Sequence, residues 1–536
     1  MTEVKKYLRP NVVIEPLIDR WYAWSHLISP ATSVLNMLEG HIPIMESFIA
    51  DPDIHAEAVS NPKMKGGPFM DIDIKRTKDV QALLDTTRAG NARLLEFGRS
   101  IKSLDKLLDA EAKGFGLEAL YEKVPPILKG YVELFYDRKN NADFRFFETM
   151  LYRSEFYERS RQSVALWITN NDHRPFCLST PRLDAPDVLN LGIPFDHPGI
   201  DELAKMKRVP RPVSEISSIL GIHKTQEALF DTFFTSAAPP VYERYTGDNI
   251  RMRYFGHACI LIETKDVSVL LDPLISYYGY HSDVEHFSDV DLPELIDYVL
   301  ITHNHQDHIL LETLLPLRHR IKNIIVPRTS SGKLEDPDLK LMFQQIGFNN
   351  VSSIGEMETI HFSDTMITGL PFMGEHSDLN IQTKSCYLVR LNEFKLFFLA
   401  DSRVVEPRLY ELVHKETGDV DVLFLGMECD GAPLSWLYGP LMPRKLPRDQ
   451  DSSRRLAGSD CEKGISLVEI FHPREAYVYA MGQEPWVEFI SSIKYTDQSN
   501  PIIQSNKFVK LCVETNVIAE RLYGEKEILY NKEPAN

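Results

Sequence analysis

Three histidines and one aspartate fall within six residues in Thr302-His303-Asn304-His305-Gln306-Asp307-His308, directly after the apolar run Val299-Leu300-Ile301. Imidazole and carboxylate side chains are the donors that bind first-row transition metals. So many donors cannot all reach one ion from so short a loop. The spacing therefore points to a two-metal site, with His303 and His305 on one ion and Asp307 and His308 on its neighbour.

A strand ending at Thr302 must deliver this loop, and the surrounding chain is rich in short β runs. Residues 250–254, 259–263 and 268–271 read as successive strands. The first two are separated by Gly256-His257, and the third ends in Asp272-Pro273. A helix is predicted over 292–296, before the strand into the loop, and another over 310–317 after it. Further strands are expected at 324–326, 366–370, 385–391, 395–399 and 476–479, with a helix over 407–414. Strands grouped with strands, and helices between the groups, predict two sheets packed face to face with helices outside.

The region before about residue 235 carries no metal-ligand cluster. Helical periodicity is evident at 80–95 and 216–234, and aromatic residues are dense from Tyr131 to Trp167. Those rings, and Trp21-Tyr22-Ala23-Trp24, read first as core of a mostly helical domain and second as a subunit interface. The linker-like run Ser236-Ala237-Ala238-Pro239-Pro240 divides the chain into 1–240 and 241–536.

With 536 residues, the chain is long for a single core. Its formal net charge of −18 argues against nucleic acid as a partner, because a phosphate backbone selects a basic face. Two local basic clusters stand out: Lys205-Met206-Lys207-Arg208 with Arg211, and Arg444-Lys445 with Arg448, Arg454 and Arg455. The six cysteines are scattered without a C-x-x-C pair and read as cytoplasmic thiols. The start, Met1 to Pro10, has no apolar leader core, and no membrane span is expected.

Gly256-His257-Ala258, Leu271-Asp272-Pro273, the histidine loop and Leu399-Ala400-Asp401-Ser402, in that order, resemble a metallo-β-lactamase-fold domain over roughly 250–490. The resemblance implies an α+β protein, its C-terminal αββα sandwich carrying metals at the sheet edges, with Asp272 supporting the loop. Hydrolases of that superfamily usually place a histidine at the next ligand position. Here the sequence reads Gly374-Glu375-His376. With Tyr479 to Trp486, Glu15-Pro16-Leu17-Ile18, Trp21-Tyr22 and Gly66-Gly67-Pro68, this is similar over nearly the whole chain to the dinuclear-iron β-hydroxylases of nonribosomal peptide synthesis, of the chloramphenicol-biosynthesis type.

That resemblance implies two non-haem, oxo-bridged iron ions, O2 as co-substrate and an external electron donor. It places His303, His305 and Glu375 on the first iron, Asp307 and His308 on the second, and Asp401 between them. The implied substrate is an aminoacyl group on a peptidyl carrier domain, and the implied assembly is a homodimer served by an external reductase. No flavin- or nicotinamide-binding glycine fingerprint is visible. Three imidazoles with three carboxylates form a harder donor set than histidine-dominated zinc sites, which favours redox-active iron, although zinc and manganese fit the same donors. The alternative is a dinuclear zinc hydrolase. Hydrolases complete the second metal with a late histidine, for which His414 and His472 are the candidates. His376 is the alternative to Glu375, and His257 reads as a turn histidine near the site.

Overall fold

The computed structural model describes residues 4–531 apart from 62, 63, 65 and 363. Residues 1–3, on which part of the leader-free reading falls, lie outside that range.

Two seven-stranded sheets form the C-terminal half. The first runs, in spatial order, Val351–Ile354, Ile321–Pro327, Ile296–Leu300, Ser268–Leu271, Ile260–Glu263, Ile250–Tyr254 and Lys526–Tyr530. The second runs Thr359–Phe362, Thr365–Leu370, Cys386–Leu391, Phe394–Phe398, Val422–Gly426, Glu475–Tyr479 and Ile518–Arg521. Period-2 alternation sends Ile250, Met252 and Tyr254 of one sheet, and Tyr387, Val389 and Leu391 of the other, into one shared layer.

The outward face of the second sheet is covered by helices Pro407–Thr417, Cys461–Phe471 and Asn500–Glu514, with Leu423, Leu425, Phe471 and Phe508 in the contact. The outward face of the first sheet packs on Leu311–Leu317 and Leu339–Gln345. Helix Leu311–Leu317 is buried nearly all round, because strand Val12–Ile18 covers its other side. One apolar core accordingly runs from Val12 and Phe97 in the N-terminal half to Leu314 and Phe343 in the sandwich.

The N-terminal half is helix-rich, with small sheets among the helices. Several local expectations need correction. The helix expected at 80–95 is two helices, Thr77–Gly90 and Ala92–Glu111, broken at Asn91, whose side chain donates to the Thr87 carbonyl. The one expected at 216–234 stops at Leu220, where Gly221 adopts φ 65°, and resumes as Glu227–Thr232. The aromatic stretch is helical only at the short helix Glu148–Leu151 and the turn Arg159–Arg161; the rest is the hairpin Val132–Tyr136/Ala142–Phe146 and strand Gln162–Ile168.

No helix forms at 292–296 either. Arg208 and Arg320 draw out the Leu292 carbonyl, which a helix would need, and strand Ile296–Leu300 begins there instead. Trp21, Tyr22, Ala23 and Trp24 are all buried, as core residues.

Candidate metal centre

The chemistry-bearing side chains sit where strands of both sheets end on one edge of the sandwich. Strand Ile296–Leu300 leads into the His303–His308 loop, Thr365–Leu370 leads towards Glu375, and Phe394–Phe398 towards Asp401. At these ends the chain turns sharply. His257 (φ 50°), Asp272 (36°), Glu375 (64°), Ala400 (47°) and Ala480 (51°) all adopt the left-handed region that side chains disfavour. Such conformations persist where surrounding structure enforces them, and they gather at functional sites.

Donor atoms of His303, His305 and Glu375 lie within 4.8 Å of one another, as do those of His303, His308 and Asp401. Glu375 Oε1 is 2.8 Å from His305 Nδ1, and Oε2 is 2.7 Å from His376 Nδ1. Asp401 Oδ2 lies 3.2 Å from His308 Nε2 and 3.9 Å from His303 Nε2. Asp307 belongs to a third group with His308 and His257, its Oδ2 being 3.4 Å from His257 Nε2. All six residues singled out in the sequence are therefore brought together. His414 and His472 are not. They pair with Asp419 on the surface, the His472 side chain being 62% exposed.

Neighbouring groups fix which nitrogen of each ring faces inward. Asp272 accepts from the Thr302 N–H at 2.8 Å, from Thr302 Oγ1 at 2.6 Å and from His308 Nδ1 at 2.8 Å. A carboxylate only accepts, so the His308 proton sits on Nδ1 and Nε2 is left facing Asp401. His305 Nε2 meets the Tyr438 hydroxyl at 3.1 Å, which turns Nδ1 towards Glu375. The Gly482 N–H donates to His257 Nδ1 at 3.0 Å, so His257 points a protonated Nε2 at Asp307. With that polarity His257 orients the Asp307 carboxylate. Tyr438 escaped the sequence reading, since its segment has no motif of its own, and so did the Gly482 contact, since a backbone N–H within the Tyr479–Trp486 run leaves no residue-type signal.

Burial and crowding depress His303 well below the usual histidine range. Burial works against charge on His308 as well, yet Asp401 and Asp272 raise it far above that range. Burial likewise opposes Asp307 and Glu375, and histidines hold both below the carboxylate range. Burial raises Asp401. His303 Nε2 and Asp401 Oδ1 are buried without a hydrogen-bond partner among the described residues. Ring nitrogens and carboxylates converging on one point, with buried polar atoms left without partners, are the features a cation satisfies, so the residues fit metal.

The pocket over this cluster is lined on one side by Trp436, Leu437, Leu456 and Met481, and also by Glu428. Burial and the nearby Asp401 charge push the Glu428 carboxyl up to about 8. The N-terminal half backs one residue of the pocket wall. The Trp436 indole rests on Gly66, where an added Cβ would lie 1.7 Å from the ring, so only glycine fits. A similar constraint holds Gly256 (φ 101°) beneath Trp486.

Comparison with known proteins agrees with this architecture. Residues 7–239 match the family described as diiron non-heme beta-hydroxylase N-terminal domain, and residues 251–431 match a beta-lactamase superfamily domain. The chain is 36% identical over 523 residues to 4-amino-L-phenylalanyl-(CmlP-peptidyl-carrier-protein) 3-hydroxylase of Streptomyces venezuelae, covering 96% of this chain and 98% of that protein. The crystal structure of CmlA, a diiron beta-hydroxylase from Streptomyces venezuelae, superposes with a TM-score of 0.92 at 34% identity, covering 98% of this chain and 100% of that one. A variant of the CmlA beta-hydroxylase gives a TM-score of 0.89 at 35% identity, over 98% and 99% of the two chains. A relative this similar over nearly its whole length, with the same fold beneath it, makes this chain a member of the diiron non-heme β-hydroxylase family.

Proposed function

We propose that the chain hydroxylates the β-carbon of an aminoacyl group held as a thioester on a peptidyl carrier domain, in the assembly of a nonribosomal peptide or antibiotic. O2 is the co-substrate, and electrons come from a separate reductase. In this reading His303, His305 and Glu375 would hold one iron and Asp307 and His308 the other, with Asp401 available to both. The observation that carries it is Glu375, turned inward with Oε1 2.8 Å from His305 Nδ1. A carboxylate there, where superfamily hydrolases use imidazole, makes the donor set hard and suits a metal that changes oxidation state.

Bound iron would supply the redox chemistry of oxygen activation. The chain's own residues do the positioning. Asp272 and Tyr438 fix the His308 and His305 rings, and His257 fixes Asp307. Trp436, Leu437 and Leu456 give the substrate side chain an apolar wall that keeps bulk water from the cluster.

The rest of the reading is a cytoplasmic homodimer. Its cysteines are free thiols, and no helix among the described residues is long and apolar enough to cross a membrane. Light scattering measures the assembly state.

The test is metal analysis and an optical spectrum of protein purified without added zinc, followed by mass spectrometry of an aminoacyl carrier after reduction and exposure to O2. The expected result is two irons per chain, ligand-to-metal absorption, and a carrier heavier by one oxygen atom. Two zinc ions with thioester or amide hydrolysis would overturn the reading in favour of a hydrolase.

A further inference from the structure

The two basic clusters of the sequence behave differently in the fold. In the first, Lys205 pairs with Glu202 at 2.6 Å and Lys207 with Asp289 at 3.2 Å, and Arg211 is held by Glu202 and Glu215. Arg208 is taken up by the carbonyls of Asp289 and Leu292. That cluster is neutralised from within and serves the fold.

The second lies on the excursion between strand Val422–Gly426 and helix Cys461–Phe471. There the Arg444 side chain is 81% exposed, with one surface contact to Asp109 at 3.3 Å. Lys445 and Arg448 are exposed and form no ion pair among the described residues. From 444 to 455 five basic side chains stand against Asp449 and Asp451, in a chain whose formal net charge is −18.

The same excursion walls the metal pocket. Ala432 and Leu456 pair as a short ribbon and line the pocket beside His305, Asp307 and Glu375. Arg454 donates to the Ser377 carbonyl at 2.9 Å, tying the ribbon to the segment that carries Glu375. An acidic protein is repelled by most of this molecule and attracted here, on the excursion that also walls the site.

We propose that the exposed face of 444–455 is the docking surface for an acidic carrier domain, which delivers its tethered aminoacyl thioester into the metal pocket along the Ala432–Leu456 ribbon. This rests on the carrier-bound reading above.

The experiment uses iron-loaded protein and a holo carrier domain bearing 4-aminophenylalanine. Arg444→Glu, Lys445→Glu and Arg448→Glu are combined, with metal content and Tm confirming the fold. The carrier Kd should weaken by about 10-fold or more at low salt, and kcat/KM should fall in step while kcat at saturating carrier holds. The wild-type Kd should rise with salt and the variant's should not. Lys205→Gln should leave the Kd unchanged. An unchanged Kd in the triple variant, or an equal loss in Lys205→Gln, overturns the docking surface. A carrier that binds wild type in this salt-dependent way but is never hydroxylated supports the surface and counts against the reaction, so the two failures are distinguishable.

Discussion

Glu375 is held at φ 64° with its two carboxylate oxygens facing His305 and His376. An imidazole at 375 would restore the donor type of the hydrolases. Glu375→His should still bind metal but leave the carrier without added oxygen, as mass spectrometry of the carrier checks. Asp272 works at one remove. Its carboxylate is fully buried and fixes both Thr302 and His308. Asp272→Ala should weaken metal affinity by about 10–100-fold in chelator competition, because the His308 ring loses its orientation.

Away from the centre, Glu148 accepts from the Asp338 N–H at 3.2 Å. Burial and the Asp338 charge push it up to about 8. A carboxyl whose pKa is raised on folding binds its proton more tightly in the native state. Stability is therefore lost as pH rises from near 4.5 towards 8. Glu148→Gln should match wild type near pH 4.5 and exceed it in Tm near pH 8, so parallel melts across that window test the sign.

Among the elements, strand ends decide the geometry. Ala480 takes φ 51° directly after strand Glu475–Tyr479, where its N–H donates to the His257 carbonyl and Gly482 reaches His257 Nδ1. Glycine relieves the left-handed strain but frees the unfolded chain, so Ala480→Gly should change stability by less than about 1 kcal/mol. A β-branched residue meets both strain and a full pocket wall. Ala480→Val should cost about 2 kcal/mol or more in denaturant melts and lower metal content.

Helix Leu311–Leu317 shows why the histidine loop is firm: it follows the loop immediately and is gripped by the sheet on one side and Val12–Ile18 on the other.

Across the whole molecule the halves are joined by charge as well as by core. Arg174 bonds Glu312 through two nitrogens at 2.9 and 2.7 Å and reaches Glu15 at 2.8 Å. Arg182 and Tyr277 complete the cluster. Glu15 and Glu312 are both nearly fully buried, so removing Arg174 leaves Glu312 without a counter-charge and Glu15 with Arg182 alone. Arg174→Met should destabilise by about 3–5 kcal/mol. Because one core spans both halves, calorimetry should show a single unfolding transition for both proteins, shifted down in the variant.

The His303–His308 cluster was legible because donor spacing is a local property of the chain, whereas Glu375 and Asp401 entered only through the family likeness; strands announce themselves by alternation. The predicted helix at 292–296 failed because Arg208 and Arg320, far off in the sequence, claim a backbone carbonyl a helix would have used. The aromatic run at 131–167 does supply core rings such as Phe144, Phe146 and Phe156, but much of it is hairpin and strand, because ring content does not separate a hairpin from a helix. The chain alone thus carried a cluster of candidate donors, the sandwich that bears it and the reach of the family likeness. Folding was needed to show which groups aim those side chains, and that Lys445 and Arg448 stay exposed without an ion pair among the described residues. Tyr438, Gly482 and Glu202 act on partners distant in the chain or through a fold-dependent pairing, and an ion pair cannot be read until folding sets both charges side by side.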